Sequence, residues 1–96
     1  MNKCENFKKI ANSLVGEKAV LYAYLPGFSW LEVSVKKKDK VIILVFKDVI
    51  RAKTMTEWIF NEIELEKMDN GFFRIYDDYE FEIVCYVFGI LEELKN

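Results

Sequence analysis

A chain of 96 residues with 52% hydrophobic and 16% aromatic side chains makes one domain, residues 1–96, with enough apolar material for its own core. Its longest apolar runs, such as Val41 to Phe46, fall far short of the ~20 residues that cross a bilayer. The absence of histidine removes the usual general base, proton shuttle and commonest transition-metal ligand together.

The net charge of −2 hides an asymmetry: residues 1–53 carry 11 Lys and Arg against 5 Asp and Glu, whereas residues 54–96 carry 3 against 11. Either the fold interleaves the two halves, or it leaves an acidic face that repels nucleic acid and attracts a basic partner. The N-terminal stretch lacks the charged, apolar and small-residue zones of a secretory signal. A cytoplasmic protein is therefore expected, with Cys4 and Cys85 as reduced thiols acting as small buried hydrophobes.

Residues 3–15 have helical periodicity, with Cys4, Phe7, Ala11, Leu14 and Val15 on one side and Lys3, Lys8, Lys9, Asn12 and Ser13 on the other. Asn2 caps the first turn with Glu5 three residues on, and Gly16 supplies a left-handed exit. Strands follow at 18–25, 28–36 and 40–47, joined by a tight Leu25-Pro26-Gly27-Phe28 turn and a lysine-rich tip. Apolar residues face both ways along 41–46, so the third strand is expected to be central, with the helix on one face.

Residues 49–60 read either as continued strand or as a short second helix. Alternation over 61–68 indicates a strand, and Asp69-Asn70-Gly71 a hairpin. The return strand points Phe73 and Ile75 inward, Arg74 and Tyr76 outward. After a turn at Asp77-Asp78, residues 79–88 read as a strand with Tyr79, Phe81, Ile83, Cys85 and Val87 inward; the rival is a helix from Asp77 to residue 94. A short C-terminal helix or a frayed tail closes the chain. The expected class is α+β: an N-terminal helix on a curved, mainly antiparallel sheet of about 5–6 strands.

No spacing asks for catalysis: a Ser-His-Asp or Cys-His nucleophile cannot be built, the glycines form no phosphate-cradling loop, and the acids lack an EF-hand pattern. No enzyme activity, cofactor or metal is expected. Lys36, Lys37, Lys38 and Lys40, with Phe28 and Trp30 for stacking, offer a nucleic-acid alternative. A solvated hairpin tip is the stronger explanation of those lysines, and the acidic half works against a polyanion. A strand edge pairing with a second copy is a further alternative.

The more informative feature is one strand face presenting Glu62, Glu64, Glu66, Arg74, Tyr76, Glu80 and Glu82. Asp77 and Asp78 lie at its turn, and Trp58 and Tyr79 at its edges. Five glutamates share one arginine there, and like charges facing across strands are unfavourable by about 0.2–1 kcal/mol per contact. Selection for stability alone ordinarily mixes in lysine. The pattern therefore suggests a binding face for a basic protein surface, with a merely solvated face as the alternative. In size, acidity and aromatic-plus-carboxylate surface the chain resembles small stoichiometric inhibitors, such as immunity proteins against toxins or phage proteins that block a defence nuclease. That resemblance, which no motif carries, implies a nuclease or other nucleic-acid-handling enzyme as partner.

Overall fold

The computed structural model describes residues 2–25 and 29–94. Helix α1 (Lys3–Asn12) begins where the sequence indicates, with the Asn2 side chain accepting a hydrogen bond from the Glu5 backbone N–H at 2.8 Å. It ends at Asn12, earlier than expected, and Val15 is left exposed. Gly16 adopts a left-handed φ of 92° in the turn that follows.

Three strands, β1 (Lys18–Leu25), β2 (Trp30–Lys37) and β3 (Lys40–Lys47), form an antiparallel meander. The expected Leu25-Pro26-Gly27-Phe28 turn lies outside the described residues. Next come β4 (Arg51–Lys53), β5 (Glu57–Ile59), β6 (Glu64–Lys67), β7 (Phe73–Tyr76), β8 (Glu82–Cys85) and β9 (Val87–Leu94). The β6–β7 hairpin turns at Asp69-Asn70-Gly71, where Gly71 takes φ 88° and its N–H donates to Met68 O at 3.1 Å.

The strands make two antiparallel sheets, one in the order β5-β1-β2-β3-β9 and one in the order β4-β8-β7-β6. Four connections pass from one sheet to the other: β3 into β4, β4 into β5, β5 into β6, and β8 into β9. The ladder of pairings thereby nearly closes on itself as a partly open barrel, whose corners are strands that change sheet.

These facts correct three expectations. There are nine strands in two sheets, not 5–6, because each long segment bends and is divided. The second helix at 49–60 does not form: Arg51–Lys53 pairs with β8 and Glu57–Ile59 with β1, so sheet ladders satisfy that backbone. The C-terminal helix does not form either, since β9 pairs with β3 residue for residue as far as Leu94.

The strand expected over 79–88 starts later and changes its inward set. Tyr79 is 72% exposed at the tip of the β7–β8 loop. Phe81, Ile83 and Cys85 are buried as expected, but Tyr86 is an extra residue between β8 and β9, so Phe88 and not Val87 enters the core.

Both sheets and α1 share one apolar cluster, into which the helix sends Phe7, Ala11 and Leu14. Aromatic edges bind it together: Phe7 meets Phe46 and Phe88, Phe88 meets Phe73, and Phe46 meets Phe81. Cys85 is fully buried there, and burial pushes its thiol up to about 12, so it packs as a protonated apolar filler. Cys4 is only partly buried. No described helix is long and apolar enough to cross a membrane.

Asn12, assigned by periodicity to the solvent side, instead closes the fold. Its Oδ1 accepts from the Ile63 N–H at 2.8 Å and its Nδ2 donates to the Ile63 carbonyl at 3.3 Å, as a neighbouring strand would. Residues 60–63 belong to neither sheet, and this side chain, with the Gly16 and Glu17 backbone on Phe60, pairs their polar groups. Asn12→Ala leaves the part-buried Ile63 N–H and C=O without those bonds and is expected to cost about 1–3 kcal/mol in urea unfolding. A change well below that range would mean solvent replaces the amide freely. In native protein a thiol reagent is expected to modify Cys4 quickly and Cys85 only at the rate of unfolding; equal rates would contradict the burial of Cys85.

Candidate functional site

The outer face of the four-stranded sheet brings together most of the residues singled out by sequence. Register aligns Glu64, Tyr76, Glu82 and Lys53 in one row across the strands, and Glu66, Arg74, Val84 and Arg51 in the next. Arg74 stacks its guanidinium 3.8 Å over the Tyr76 ring and donates to Glu82 at 2.6 Å. Glu82 also meets Arg51 at 3.0 Å, and its side chain is only 16% exposed. The Arg74 hydrogen bond, aided by the nearby charge of Arg51, holds the Glu82 carboxyl below the usual carboxylate range.

The face is less acidic than the sequence implies. Strand β4 delivers Arg51 and Lys53 to it, and Lys8 of α1 reaches Glu64 at 2.7 Å. Five glutamates therefore do not share one arginine. The first half of the chain supplies cations to the second, because β4 adds to the β8 side of the sheet.

A group of carboxylates with little compensation, Asp77, Asp78 and Glu80, lies in the β7–β8 loop at one end of the sheet. Strand β5 is an edge of the five-stranded sheet, and the β7–β8 loop hangs beside it. Between them is a hollow of about 280 Å³ lined by Met55, Trp58, Ile59, Asp77, Tyr79 and Phe81, with Asn61 and Glu80. Its floor is the Trp58 ring stacked on Phe81, with centroids 5.7 Å apart. Met55, Ile59 and Tyr79 are half or more exposed around it. Asp77 and Asp78 form no ion pair among the described residues, and Glu80 meets Lys53 only at 3.9 Å, whereas Glu62 lies outside the hollow and its charge acts on Lys8.

The loop is preorganised. Asp77 Oδ1 accepts from the Tyr79 and Phe81 backbone N–H groups at 2.8 and 3.1 Å, and Asp77 N–H donates to Phe81 O at 3.0 Å. Trp58 thus serves as a floor in the other sheet, not as an edge of the acidic face. Its Nε1 is buried with no hydrogen-bond partner among the described residues, an arrangement that costs about 1–3 kcal/mol.

Sequence reasoning missed Met55 and Ile59, in the segment read as either strand or helix, and Asn61, at the start of the expected strand 61–68. The lysine-rich tip is partly engaged: Lys37 donates to the Ser13 carbonyl at 2.8 Å and Lys40 pairs with Glu92 at 2.7 Å. Among the described residues no cluster of three or more Asp, Glu or Cys side chains is placed to hold a metal ion.

Because its folded pKa is depressed, Glu82 contributes stability that is full above the ordinary glutamate value and lost as pH falls through the folded value. Urea unfolding of wild type and Glu82→Gln across a pH series is expected to show a gap at neutral pH that closes below the ordinary carboxylate range. A gap independent of pH would show that the Arg74 and Arg51 contacts do not act through the Glu82 charge. No family model matches the chain, and no curated protein or solved structure is significantly similar to it.

Proposed function

We propose that the protein is a non-enzymatic, stoichiometric inhibitor of the immunity or anti-defence type, which covers a basic surface on a protein partner. The observation that carries this reading is the hollow at the open end of the barrel. It combines an aromatic floor (Trp58, Phe81), exposed apolar walls (Met55, Ile59, Tyr79) and the carboxylates of Asp77 and Glu80, with Asp78 in the same loop.

That combination suits a lysine or arginine projecting from a partner. The aliphatic stem lies along the aromatic floor and the charged head meets a rim carboxylate. Tyr79 supplies a large contact on a loop already held by Asp77, so little ordering entropy is lost on binding. The neighbouring sheet face, with Glu64, Glu66, Arg74, Tyr76 and Glu82, extends the contact as a charged rim. A partner held this way has its cationic groups occupied, and a nucleic-acid-handling enzyme would lose phosphate contacts to steric and electrostatic competition. Association should be fast at low salt and slow at high salt.

The test is affinity capture from nuclease-treated host lysate by tagged wild type, Tyr79→Ala, and an Asp78→Lys, Glu80→Lys double variant, with folding checked by thermal melting. Wild type is expected to retain one stoichiometric protein that leaves with salt. With that protein purified, Tyr79→Ala should weaken binding about tenfold or more, and the charge reversals should chiefly slow association. Undiminished binding by both variants would overturn this site, and recovery that disappears with nuclease would transfer the role to Lys36 and Lys38 and a nucleic acid.

A further inference from the structure

Strand β9 carries a second surface, at the far edge of the five-stranded sheet from the hollow. Sheet edges expose unpaired backbone donors and acceptors, and proteins keep them short, charged, broken by proline, or covered. Three of the four edges here are short: β4 and β5 have 3 residues each and β6 has 4. Strand β9 has 8, of which the first five, Val87 to Leu91, carry neither charge nor proline, and it is paired on one side only among the described residues.

The side chains of β9 are arranged to meet their own copy. Its outward set, by register with β3, is Val87, Gly89, Leu91 and Glu93; its inward set is Phe88, Ile90 and Glu92. Gly89 has nothing within 4 Å of where a Cβ would stand, and a groove of about 300 Å³ opens there between Trp30, Val45, Lys47, Val87 and Leu91. Two residues on, Leu91 is 57% exposed. The strand thus bears a hole and a knob at neighbouring outward positions.

Charge follows the same pattern. Glu92 and Glu93 lie at one end of β9, and Glu93 has no ion pair among the described residues. At the other end Lys3 sits 4.9 Å over the Phe88 ring, and Lys47, across from Val87, lies over Trp30.

We propose that β9 pairs antiparallel with β9 of a second copy about a two-fold axis at Ile90, forming a dimer with a continuous sheet. This register sets Leu91 of each chain opposite Gly89 of the other, so each exposed knob enters the other's groove. It also sets Glu93 opposite Val87, one strand from Lys47, and Glu92 opposite Phe88, beside Lys3. The two Glu93 residues end about 20 Å apart, so their repulsion is small. A parallel arrangement in register would stack Glu on Glu and leave the grooves empty. The interface is isologous, as two-fold symmetry demands, and leaves the hollow at the opposite edge open.

Sedimentation or light scattering on the full chain tests this. Wild type is expected at twice its 11.4 kDa mass. Leu91→Arg and Gly89→Arg should give monomers that melt cooperatively, and Met55→Arg, at the opposite edge, should remain dimeric. Lys47→Glu and Glu93→Lys should each raise the dissociation constant about tenfold, because the pair occurs twice, and the double exchange should restore it. A monomeric wild type, or a dimer indifferent to Leu91→Arg and Gly89→Arg, overturns the proposal; single charge exchanges without rescue overturn this register.

Discussion

Both sheets depend on one bent ribbon, formed by residues 40–53 running antiparallel to residues 82–94. Strands β3 and β9 pair within the five-stranded sheet, and β4 and β8 pair within the four-stranded one. The two segments change sheet at the same level, next to Asp48 on one and at Tyr86 on the other. Asp48 takes a left-handed φ of 54°, and the Tyr86 N–H donates to the Lys47 carbonyl at 3.3 Å. A strand alternates its side chains strictly, so turning a corner without an extra residue would expose one half of its apolar set. On the first segment the core set changes from Ile42, Leu44 and Phe46 to Val49; on the second it changes from Phe81, Ile83 and Cys85 to Phe88. Because both change together, one core serves both sheets.

The ribbon also decides the electrostatics. By carrying β4 alongside β8 it brings Arg51 and Lys53, from the basic half of the chain, onto the face that holds the glutamates of the acidic half. Glu82 then lies between two arginines. Most of the charge asymmetry of the sequence is consumed within the fold. Part of what survives, Asp77 and Asp78 with the loosely paired Glu80, lies in the β7–β8 loop, where exposed apolar groups also gather. This coincidence of unspent acid and exposed aromatic surface, more than total acidity, motivates a protein-binding role.

Next to the hollow, residues 60–63 bridge the sheets without belonging to either, and their backbone needs partners from outside. Asn12 and the turn after α1 supply them, which makes the helix a structural strut as well as a cover for the core. The helix is thus tied both to the core through Phe7 and Ala11 and to a gap in the sheets through Asn12. The seam beside β5 and the long edge of β9 lie at opposite edges of the five-stranded sheet.

The capped helix at Asn2, the three strands of the first half and the Asn70-Gly71 hairpin were legible in the sequence, since caps, turn residues and alternation act over a few residues and need no distant partner. So was the outward placement of Glu64, Glu66, Arg74, Tyr76 and Glu82. Tertiary structure alone decided the rest. Residues 49–60 have weak local preference and became two short strands only because β8 and β1 offered ladders to join. The apolar run of 83–91, compatible with a strand or a buried helix, became strand through pairing with β3. Which charges neutralise one another, where the barrel stays open and which edge is left long depend on contacts between residues tens of positions apart, and one-dimensional periodicity carries no signal of those.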